Sequence, residues 1–302
     1  MLYVARMPAS TVHLIDASPY IFRAYYSIPA TIRDPNGVKV NAVYGFASFL
    51  IKLIADEKLT HLGVAFDRNL NGSFRNRFYP PYKQQRDDPP ADLVAQIEPC
   101  LEVASALGAF TCIDDEYEAD DLIATLAAPL TAAGHKVVVV TSDKDLAQLV
   151  SDQVTLFDFG KGERYTPEEV QKKFGVRPDQ ITDLLALAGD PVDNIPGVQG
   201  IGRKSAADLL ELYGHLEDLY EKLDGVRFAK LRAAKSLYFR LAEGQENALL
   251  SKVLATVALD APVKAGLGDL AWTGADTARV DEIFGRLGFK GIRERIPAFS
   301  PG

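Results

Sequence analysis

Cysteine, histidine and tryptophan are scarce in this chain of 302 residues, which contains two cysteines, four histidines and one tryptophan. The two cysteines, Cys100 and Cys112, offer no disulfide framework and suit a reducing compartment, so we expect a cytoplasmic protein. No apolar run is long enough to span a membrane. Arg6 lies too early for the apolar segment of a secretory signal, and no membrane partner is expected.

Positive charge is also in deficit, because 33 lysines and arginines face 41 aspartates and glutamates, which gives a net charge of −8. This balance argues against a simple electrostatic nucleic-acid binder. It does not exclude a protein whose acids are concentrated at a metal site while its bases line the approach. With 47% hydrophobic residues the chain has ample material for a core and is expected to form two lobes.

A carboxylate cluster stands directly before an apolar stretch of helical composition. It consists of Glu118, Asp120 and Asp121. The first turn of a helix favours negative charge, so a simple helix start is the alternative interpretation. Glu118 and Asp121 are three residues apart and are expected to share a face, from which Asp120 projects away.

Three predicted strands are followed at once by acids. They are residues 11–16 with Asp16, residues 62–66 with Asp67, and residues 137–140 with Asp143 and Asp145. Open α/β sheets place their ligands at the carboxyl ends of strands, so these acids are expected to meet. Two carboxylates 4 Å apart repel by roughly 4 kcal/mol at an effective dielectric of 20, so a cation must hold them. Ligands that are all oxygen indicate Mg²⁺ or Mn²⁺.

The segment from Arg68 to Arg86 is basic and contains no acid. It carries Arg68, Arg75, Arg77, Lys83 and Arg86, with Tyr79 and Tyr82 interleaved. Prolines at 80–81 and 89–90 deny it a continuous helix, and a solvated loop is the plain alternative. Beside an acidic metal cleft, contacts with phosphates and stacked bases are favoured.

From residue 166 the pattern is mostly helical, with a predicted helix at 179–188, a glycine-rich loop, and a helix from Arg203 to Tyr213. The loop does not fit a nucleotide-binding P-loop, because Arg203 intrudes before Lys204 and no strand precedes it. A helix start with free N–H groups receives a phosphate without base contacts. A basic stretch at 227–240 is interpreted as a solvated face, and a closing helix is expected at 281–295.

These residues occur in an order that resembles a known family, the 5′-nuclease domain of bacterial DNA polymerase I and the related flap endonucleases. The motifs are Asp16-Ala-Ser-x-Tyr20 with Arg23-Ala-Tyr25, Val43-Tyr-Gly-Phe, Phe66-Asp67, Ser73-Phe-Arg75, Tyr82-Lys83, Tyr117-Glu-Ala-Asp-Asp121, Thr141-Ser-Asp-Lys-Asp145, Gly189-Asp-Pro-Val-Asp193-Asn-Ile-Pro-Gly197 and Gly200-Ile-Gly202. They run from about residue 11 to residue 262. No polymerase domain follows them, so a free-standing nuclease is expected, with an excised fragment as the alternative.

The resemblance implies an α/β fold: a mixed, mostly parallel sheet with helices on both faces, and a helical C-terminal region with a helix–three-turn–helix unit. The nuclease core is expected at 1–165, with an arch at about 80–100. The helical DNA-binding region is expected at 166–302, with its helix–three-turn–helix unit at about 180–214. The arch is short and interrupted by proline.

The resemblance also implies roles for individual residues. The metal ligands carry over onto Asp16, Asp67, Glu118, Asp120, Asp121, Asp143, Asp145, Asp190 and Asp193. Lys83, with Arg75 and Arg86, would neutralise charge on the scissile phosphate. DNA contacts are expected from Tyr20, Arg23, Tyr82, Gly197, Gly200, Gly202, Arg203 and Lys204. A K⁺ site is implied at the backbone of Val198 and Ile201.

The predicted function is 5′-3′ exonuclease and flap endonuclease activity on DNA by two Mg²⁺ ions, for which Mn²⁺ would substitute. The expected partners are DNA 5′ ends, flaps and single-strand/duplex junctions, bound by a monomer in replication and repair. Two alternatives are a non-catalytic structure-specific DNA-binding protein and an RNA-directed nuclease of the PIN-like class. The helix–glycine turn–helix unit favours duplex DNA over the second alternative.

Overall fold

A computed structural model describes residues 9–70 and 72–299, and in this part of the chain six strands form one sheet in the order β3-β2-β1-β4-β5-β6. All neighbours are parallel except β5 and β6, which are antiparallel. The strands are β1 (Thr11–Asp16), β2 (Leu62–Asp67), β3 (Phe110–Asp114), β4 (Lys136–Val140), β5 (Val154–Asp158) and β6 (Glu163–Tyr165). The mixed, mostly parallel sheet predicted from the sequence is confirmed.

The helices lie on both faces of this sheet. They are α1 (Ser18–Ser27), α2 (Asn41–Glu57), α3 (Ala91–Val94), α4 (Ile97–Ala106), α5 (Ala119–Ala132), α6 (Pro167–Phe174), α7 (Ile181–Ala188), α8 (Arg203–Tyr213), α9 (Leu216–Glu221), α10 (Ala234–Glu243), α11 (Gln245–Ala255) and α12 (Thr277–Leu287). None of the helices in the described ranges is long and apolar enough to cross a bilayer.

Alternation along the central strands creates two cores, one on each face of the sheet. Val137 and Val139 of β4 pack with α5 and the helical C-terminal region. Val138 and Val140 pack on the opposite face with α1, α2, α4 and α12. Because β4 is apolar on both faces it lies in the middle of the sheet, where the β-branched run predicted a buried strand.

Two helical regions depart from a simple pattern. The chain after the prolines at 89–90 forms two helices, α3 and α4, because it breaks at Gln96, whose buried side chain accepts from the amide of Ala42 at 2.8 Å and donates to the carbonyl of Asp92 at 2.8 Å. The closing helix expected at 281–295 begins earlier, because Asp276 caps α12 by accepting from the amide of Arg279 at 3.1 Å. It ends at Gly288, whose φ of +70° is the left-handed conformation that favours glycine.

Candidate functional site

The carboxyl ends of β1 and β2 bring two buried carboxylates together. Asp16 accepts from the Thr141 hydroxyl at 2.8 Å and from the amide of Ser18 at 3.2 Å. Asp67 accepts from the amide of Ala119 at 2.7 Å and from the hydroxyl of Ser18. Burial, followed by the charge of Asp67, raises the pKa of Asp16 well above its usual value. The pair therefore resists carrying two negative charges without a cation.

The turn after β4 adds two further acids, and the first turn of α5 adds a third. The amide of Asp145 donates to Asp143 at 2.9 Å. Burial and the charge of Asp143 raise the pKa of Asp145 to about 8. Burial, then Asp143, Asp16 and Asp67, raise the pKa of Asp120 well above its usual value. Asp120 thus lies near the strand-end acids, and Asp121 is turned toward Arg75, so the two project in different directions, as the helical spacing predicts.

The turn between α7 and α8 reaches the same cleft through Asp190 and Asp193. A short antiparallel bridge closes this turn, with the amides of Asp190 and Ile195 each donating to the other's carbonyl, at 3.0 and 2.8 Å. Both aspartates contribute to the raised pKa of Asp145, which places them beside the strand-end acids. The turn between α7 and α8 therefore reaches the acidic cleft.

Lys83 lies between two of these acids. Its Nζ donates to Glu118 Oε2 at 2.8 Å and lies 3.8 Å from Asp193 Oδ2, and Arg86 also pairs with Asp193. Burial alone would raise the pKa of Glu118, but Lys83 and Arg75 hold it below its usual value. Lys83 has a φ of +57° and its amide donates to the carbonyl of Asp193 at 3.0 Å. The backbone therefore fixes the base of the lysine against the turn that carries Asp193.

Arg75 and Asp121 do not join this cleft, and the roles expected for them need correction. The two side chains form a buried bidentate ion pair, with Nη1–Oδ2 at 2.9 Å and Nη2–Oδ1 at 2.8 Å. Arg75 also donates to the carbonyls of Leu254 and Thr256, both at 2.9 Å. Asp121 accepts a further bond from the amide of Ala258 at 2.7 Å. The pair ties α5 to the end of α11, so neither group is available to a metal or a phosphate.

The base-stacking expectation for two tyrosines also does not fit. Tyr20 is buried and stacks on Phe49, with ring centroids 3.8 Å apart and planes 7° from parallel. Tyr82 is buried with its hydroxyl 3.4 Å from Glu118 and 3.3 Å from Asp193. Both rings therefore pack within the protein. Arg23, by contrast, is exposed, as a DNA contact requires.

The glycine loop before α8 leaves its helix start open. Gly202 is the N-cap residue of α8, and Arg203 and Lys204 after it are exposed. Gly197 has a φ of +60°, and a Cβ there would lie 2.3 Å from the amide nitrogen of Gly189, so this position requires glycine. A phosphate would meet free N–H groups and two cations at this terminus.

Three further predictions, a DNA contact at Gly200 and a K⁺ site at Val198 and Ile201, concern the backbone of that loop. The carbonyl of Gly200 already accepts from Nη1 of Arg240 at 2.6 Å. Val198 and Ile201 have buried side chains, and the carbonyl of Val198 accepts from the amide of Ile201 at 3.0 Å. A K⁺ site on these carbonyls stays a prediction.

Several polar side chains that hold the site were missed at the level of sequence. Asn194 donates to the carbonyl of Pro81 at 2.7 Å, and Gln85 donates to the carbonyls of Pro191 and Val192, both at 2.8 Å. These hydrogen bonds connect the segment that carries Lys83 to the turn that carries Asp193. The adjacency of Asn194 to Asp193 was an available signal. Ser18 and Thr141, which orient the strand-end acids, likewise lie in the same motifs as Asp16 and Asp143.

The donor chemistry of the cleft fits a hard divalent cation. Its side chains are carboxylates whose charges repel one another, and Glu118 Oε1 is buried without a hydrogen-bond partner. Within the described ranges no group of three acidic, imidazole or thiol side chains has the spacing of a ready metal site. The carboxylates that would approach an ion here are Asp16, Asp67, Glu118, Asp120, Asp143, Asp145, Asp190 and Asp193.

Comparison of the fold with solved structures gives close overall likenesses at low sequence identity. The 5′-exonuclease of bacteriophage T5 with zinc bound is 19% identical, with a TM-score of 0.67, over 95% of this chain and 96% of that one. The T5 flap endonuclease in a complex with DNA and metal ions is 21% identical, with a TM-score of 0.62, over 95% and 97%. The catalytic core of Rad2 with DNA substrate is 17% identical, with a TM-score of 0.60, over 95% and 90%. These likenesses establish the fold.

Sequence comparison identifies the family. The DNA polymerase I of Bacillus caldotenax is 40% identical over 94% of this chain, and that of Mycobacterium tuberculosis is 38% identical over 95%. The chain spans about a third of the length of these relatives, 32% and 31% respectively. Residues 11–175 match the model of the 5′-3′ exonuclease N-terminal resolvase-like domain, and residues 176–278 match that of the 5′-3′ exonuclease C-terminal SAM fold. The chain therefore belongs to the 5′-3′ exonuclease family.

Proposed function

We propose that this protein hydrolyses phosphodiester bonds of DNA at 5′ ends, flaps and single-strand/duplex junctions. One observation carries the proposal: carboxylates of β1, β2, α5, the turn after β4 and the turn before α8 interact through their charges, and Lys83 pairs with two of them, Glu118 at 2.8 Å and Asp193 at 3.8 Å. The raised pKa values of Asp16, Asp67, Asp120, Asp143 and Asp145, the last near 8, indicate a cleft that is incomplete without positive charge. The T5 and Rad2 structures, which contain metal ions or DNA, support the same assignment.

The carboxylates would hold Mg²⁺, or Mn²⁺ in its place, and two such ions supply Lewis acidity to the attacking and leaving oxygens when they are bound. Asp16, Asp67 and Asp120 lie at the strand ends, and Asp190 and Asp193 lie on the turn before α8. Two groups of ligands on two sides of the cleft are consistent with two ions. The hydroxyls of Ser18 and Thr141 orient the buried acids by donating to them.

Lys83 performs the electrostatic part of the reaction in this proposal. Its ammonium, whose pKa the neighbouring acids raise against the effect of burial, stays charged at neutral pH. Glu118 and Asp193 hold this ammonium beside the carboxylates that would bind the metal, where it would meet the charge that grows on the phosphate in the transition state. The N–H groups at the start of α8, with Arg203 and Lys204, would hold the duplex backbone independently of sequence.

The remaining details of this proposal are predictions from the sequence. They are a monomer, a K⁺ ion at the glycine loop, a cytoplasmic location and a role in replication and repair. The boundary between the two lobes near residue 165, with the arch at about 80–100, is likewise a prediction.

The test is cleavage of a 5′-flapped DNA duplex, with Mg²⁺ and with the ion removed by EDTA. We expect Mg²⁺-dependent products that begin with a 5′-phosphate, and no products from Asp143→Asn. Matched flaps of DNA and RNA test the substrate, and faster cleavage of RNA would contradict the assignment. Tight binding of the flap by wild-type protein without any cleavage across Mg²⁺ and Mn²⁺ concentrations would favour a non-catalytic DNA-binding protein.

A further inference from the structure

A surface between residues 227 and 240 is basic although the chain as a whole has a net charge of −8. Five exposed cations form this surface, here called the basic face, and they are Arg227, Lys230, Arg232, Lys235 and Arg240. Among the described residues, Arg227 pairs with Asp224 at 3.7 Å, and no acid lies within ion-pair distance of the other four. Sequence patterning alone gave the interpretation of an ordinary solvated face. Such faces usually mix both signs of charge, and this one does not.

Local packing turns these cations outward. A 3-10 helix, Leu223–Phe228, packs against α10 through the buried side chains of Val226, Leu237 and Leu241. Leu237 and Leu241 are four residues apart and occupy one buried face of α10, whereas Lys235 projects from the other side and the remaining four cations are also exposed. The apolar contacts therefore fix the orientation of the basic face relative to the rest of the protein.

Aromatic rings lie open to solvent among the cations. Phe228 is 84% exposed and Phe239 is 58% exposed. The guanidinium of Arg227 lies 3.6 Å from the centroid of the Tyr238 ring and 5.9 Å from that of Phe239. Exposed aromatic faces combined with positive charge are typical of surfaces that bind nucleic acid, because sugars and bases contact the rings while phosphates contact the cations.

The basic face is continuous with the helix start that we propose holds DNA. Arg240 donates to the carbonyl of Gly200 at 2.6 Å, two residues before the N-cap of α8. At the junction of α10 and α11, a Cβ on Gly244 would lie 2.8 Å from Val198 Cγ1, so this junction presses on the glycine loop. These contacts join the basic face to the glycine loop. A duplex is stiff over about 150 base pairs, so DNA held at α8 continues as a straight rod past the loop.

We propose that the basic face binds the backbone of the same DNA duplex and lengthens the stretch of duplex that the protein contacts. This inference rests on the proposed function, because it requires DNA to be bound at α8. The phosphates contact Lys230, Arg232 and Lys235, and the exposed phenylalanines pack against the sugars. Contacts of this kind do not depend on base sequence.

The experiment measures DNA affinity by fluorescence anisotropy, with Ca²⁺ in place of Mg²⁺, over a series of salt concentrations. Lys230→Ala combined with Arg232→Ala is compared with a control that removes two charges elsewhere. The control is Lys136→Ala with Lys264→Ala, where Lys136 lies at the amino end of β4, opposite the cleft, and both residues are exposed. Each double variant has a net charge of −10, since two positive charges are taken from −8. All four side chains are exposed, and thermal unfolding checks that the variants are folded.

On a long duplex arm, the basic-face variant should bind about 10-fold or more weakly, with a salt slope smaller by about two. On an arm shortened step by step, wild-type affinity should fall until it equals that of the variant, and the control should follow wild type throughout. Equal losses in both double variants, or a loss that persists on the shortest arm, would overturn the proposal. A loss confined to single-stranded DNA would overturn it as well. Absence of any duplex binding by wild type would instead show that the proposed function itself has failed.

Discussion

The buried pair of Arg75 and Asp121 offers a sharp test, because the family resemblance made Asp121 a metal ligand while the structure makes it a structural partner. Asp121→Asn keeps the shape of the side chain and removes its charge. The Arg75 side chain is 3% exposed and would lose its bidentate partner, with Glu118 Oε2 left at 4.0 Å. Removing one member of a buried pair costs about 3–5 kcal/mol. We expect the lower end, about 3 kcal/mol, because asparagine still accepts hydrogen bonds.

The assay is urea unfolding in EDTA, combined with Mg²⁺ titration of the folded protein. Asp121→Asn should lower the free energy of unfolding by about 3 kcal/mol at unchanged Mg²⁺ affinity. Asp143→Asn is the matched control and should do the opposite: the pKa of Asp143 is raised, by burial first, so its charge opposes folding in the absence of metal. The control should therefore lose Mg²⁺ affinity without losing stability. A stability loss below about 1 kcal/mol for Asp121→Asn, together with weakened Mg²⁺ binding, would refute the structural assignment.

Four further outcomes are expected. Lys83→Ala should reduce the single-turnover cleavage rate on the order of 10²-fold with little change in DNA affinity. Lys83→Arg should restore the cleavage rate only in part. Loss of DNA affinity at an unchanged cleavage rate would instead make Lys83 a residue that only binds DNA. Lys204→Ala should lower the salt slope of duplex binding by about one, equally for unrelated sequences, and a sequence-dependent effect would contradict the phosphate contact. Asn194 has a φ of +57°, which glycine adopts without strain and alanine does not. Asn194→Gly should therefore keep the fold and slow cleavage through loss of the hydrogen bond to Pro81, whereas Asn194→Ala should also lower the unfolding temperature. Equal unfolding temperatures of the two variants would argue against strain at this position. Burial lowers the pKa of His13 to about 4 from 6.5, so between these pH values the unfolded chain binds more protons than the folded protein. The free energy of unfolding should therefore fall by up to about 3 kcal/mol as the pH drops from 6.5 toward 4. His13→Asn should flatten this dependence, and an unchanged pH profile would exclude His13 as its source.

Much of the sheet and part of the site could be predicted from local pattern. The runs at 11–16, 62–66 and 137–140 are largely apolar, and each leads into acids. Parallel strands bring their carboxyl ends to one edge, so the meeting of Asp16 and Asp67 follows from sequence once the sheet is parallel. Residues 203–213 likewise became α8 with the predicted bounds, because a glycine loop and Gly214 delimit a clear apolar period.

Tertiary structure decided which way each acid points. Asp120 and Asp121 are adjacent in the first turn of α5, and sequence spacing placed Asp121 with Glu118. Spacing cannot show that Arg75 is buried beneath that face, where it takes both oxygens of Asp121. Asp120 meets the strand ends instead, because successive helical residues project about 100° apart.

The sequence by itself determined most secondary-structure elements, the family and the set of carboxylates that are candidates for metal binding. These depend on local pattern and on the order of motifs. Only the fold determined that the backbone of Lys83 is hydrogen-bonded to the turn that carries Asp193. The fold also determined the burial of Tyr20 and Tyr82 and the union of the basic face with α8. Each of these depends on contacts between residues distant in the chain, and such contacts exist only after the two cores have packed on the sheet.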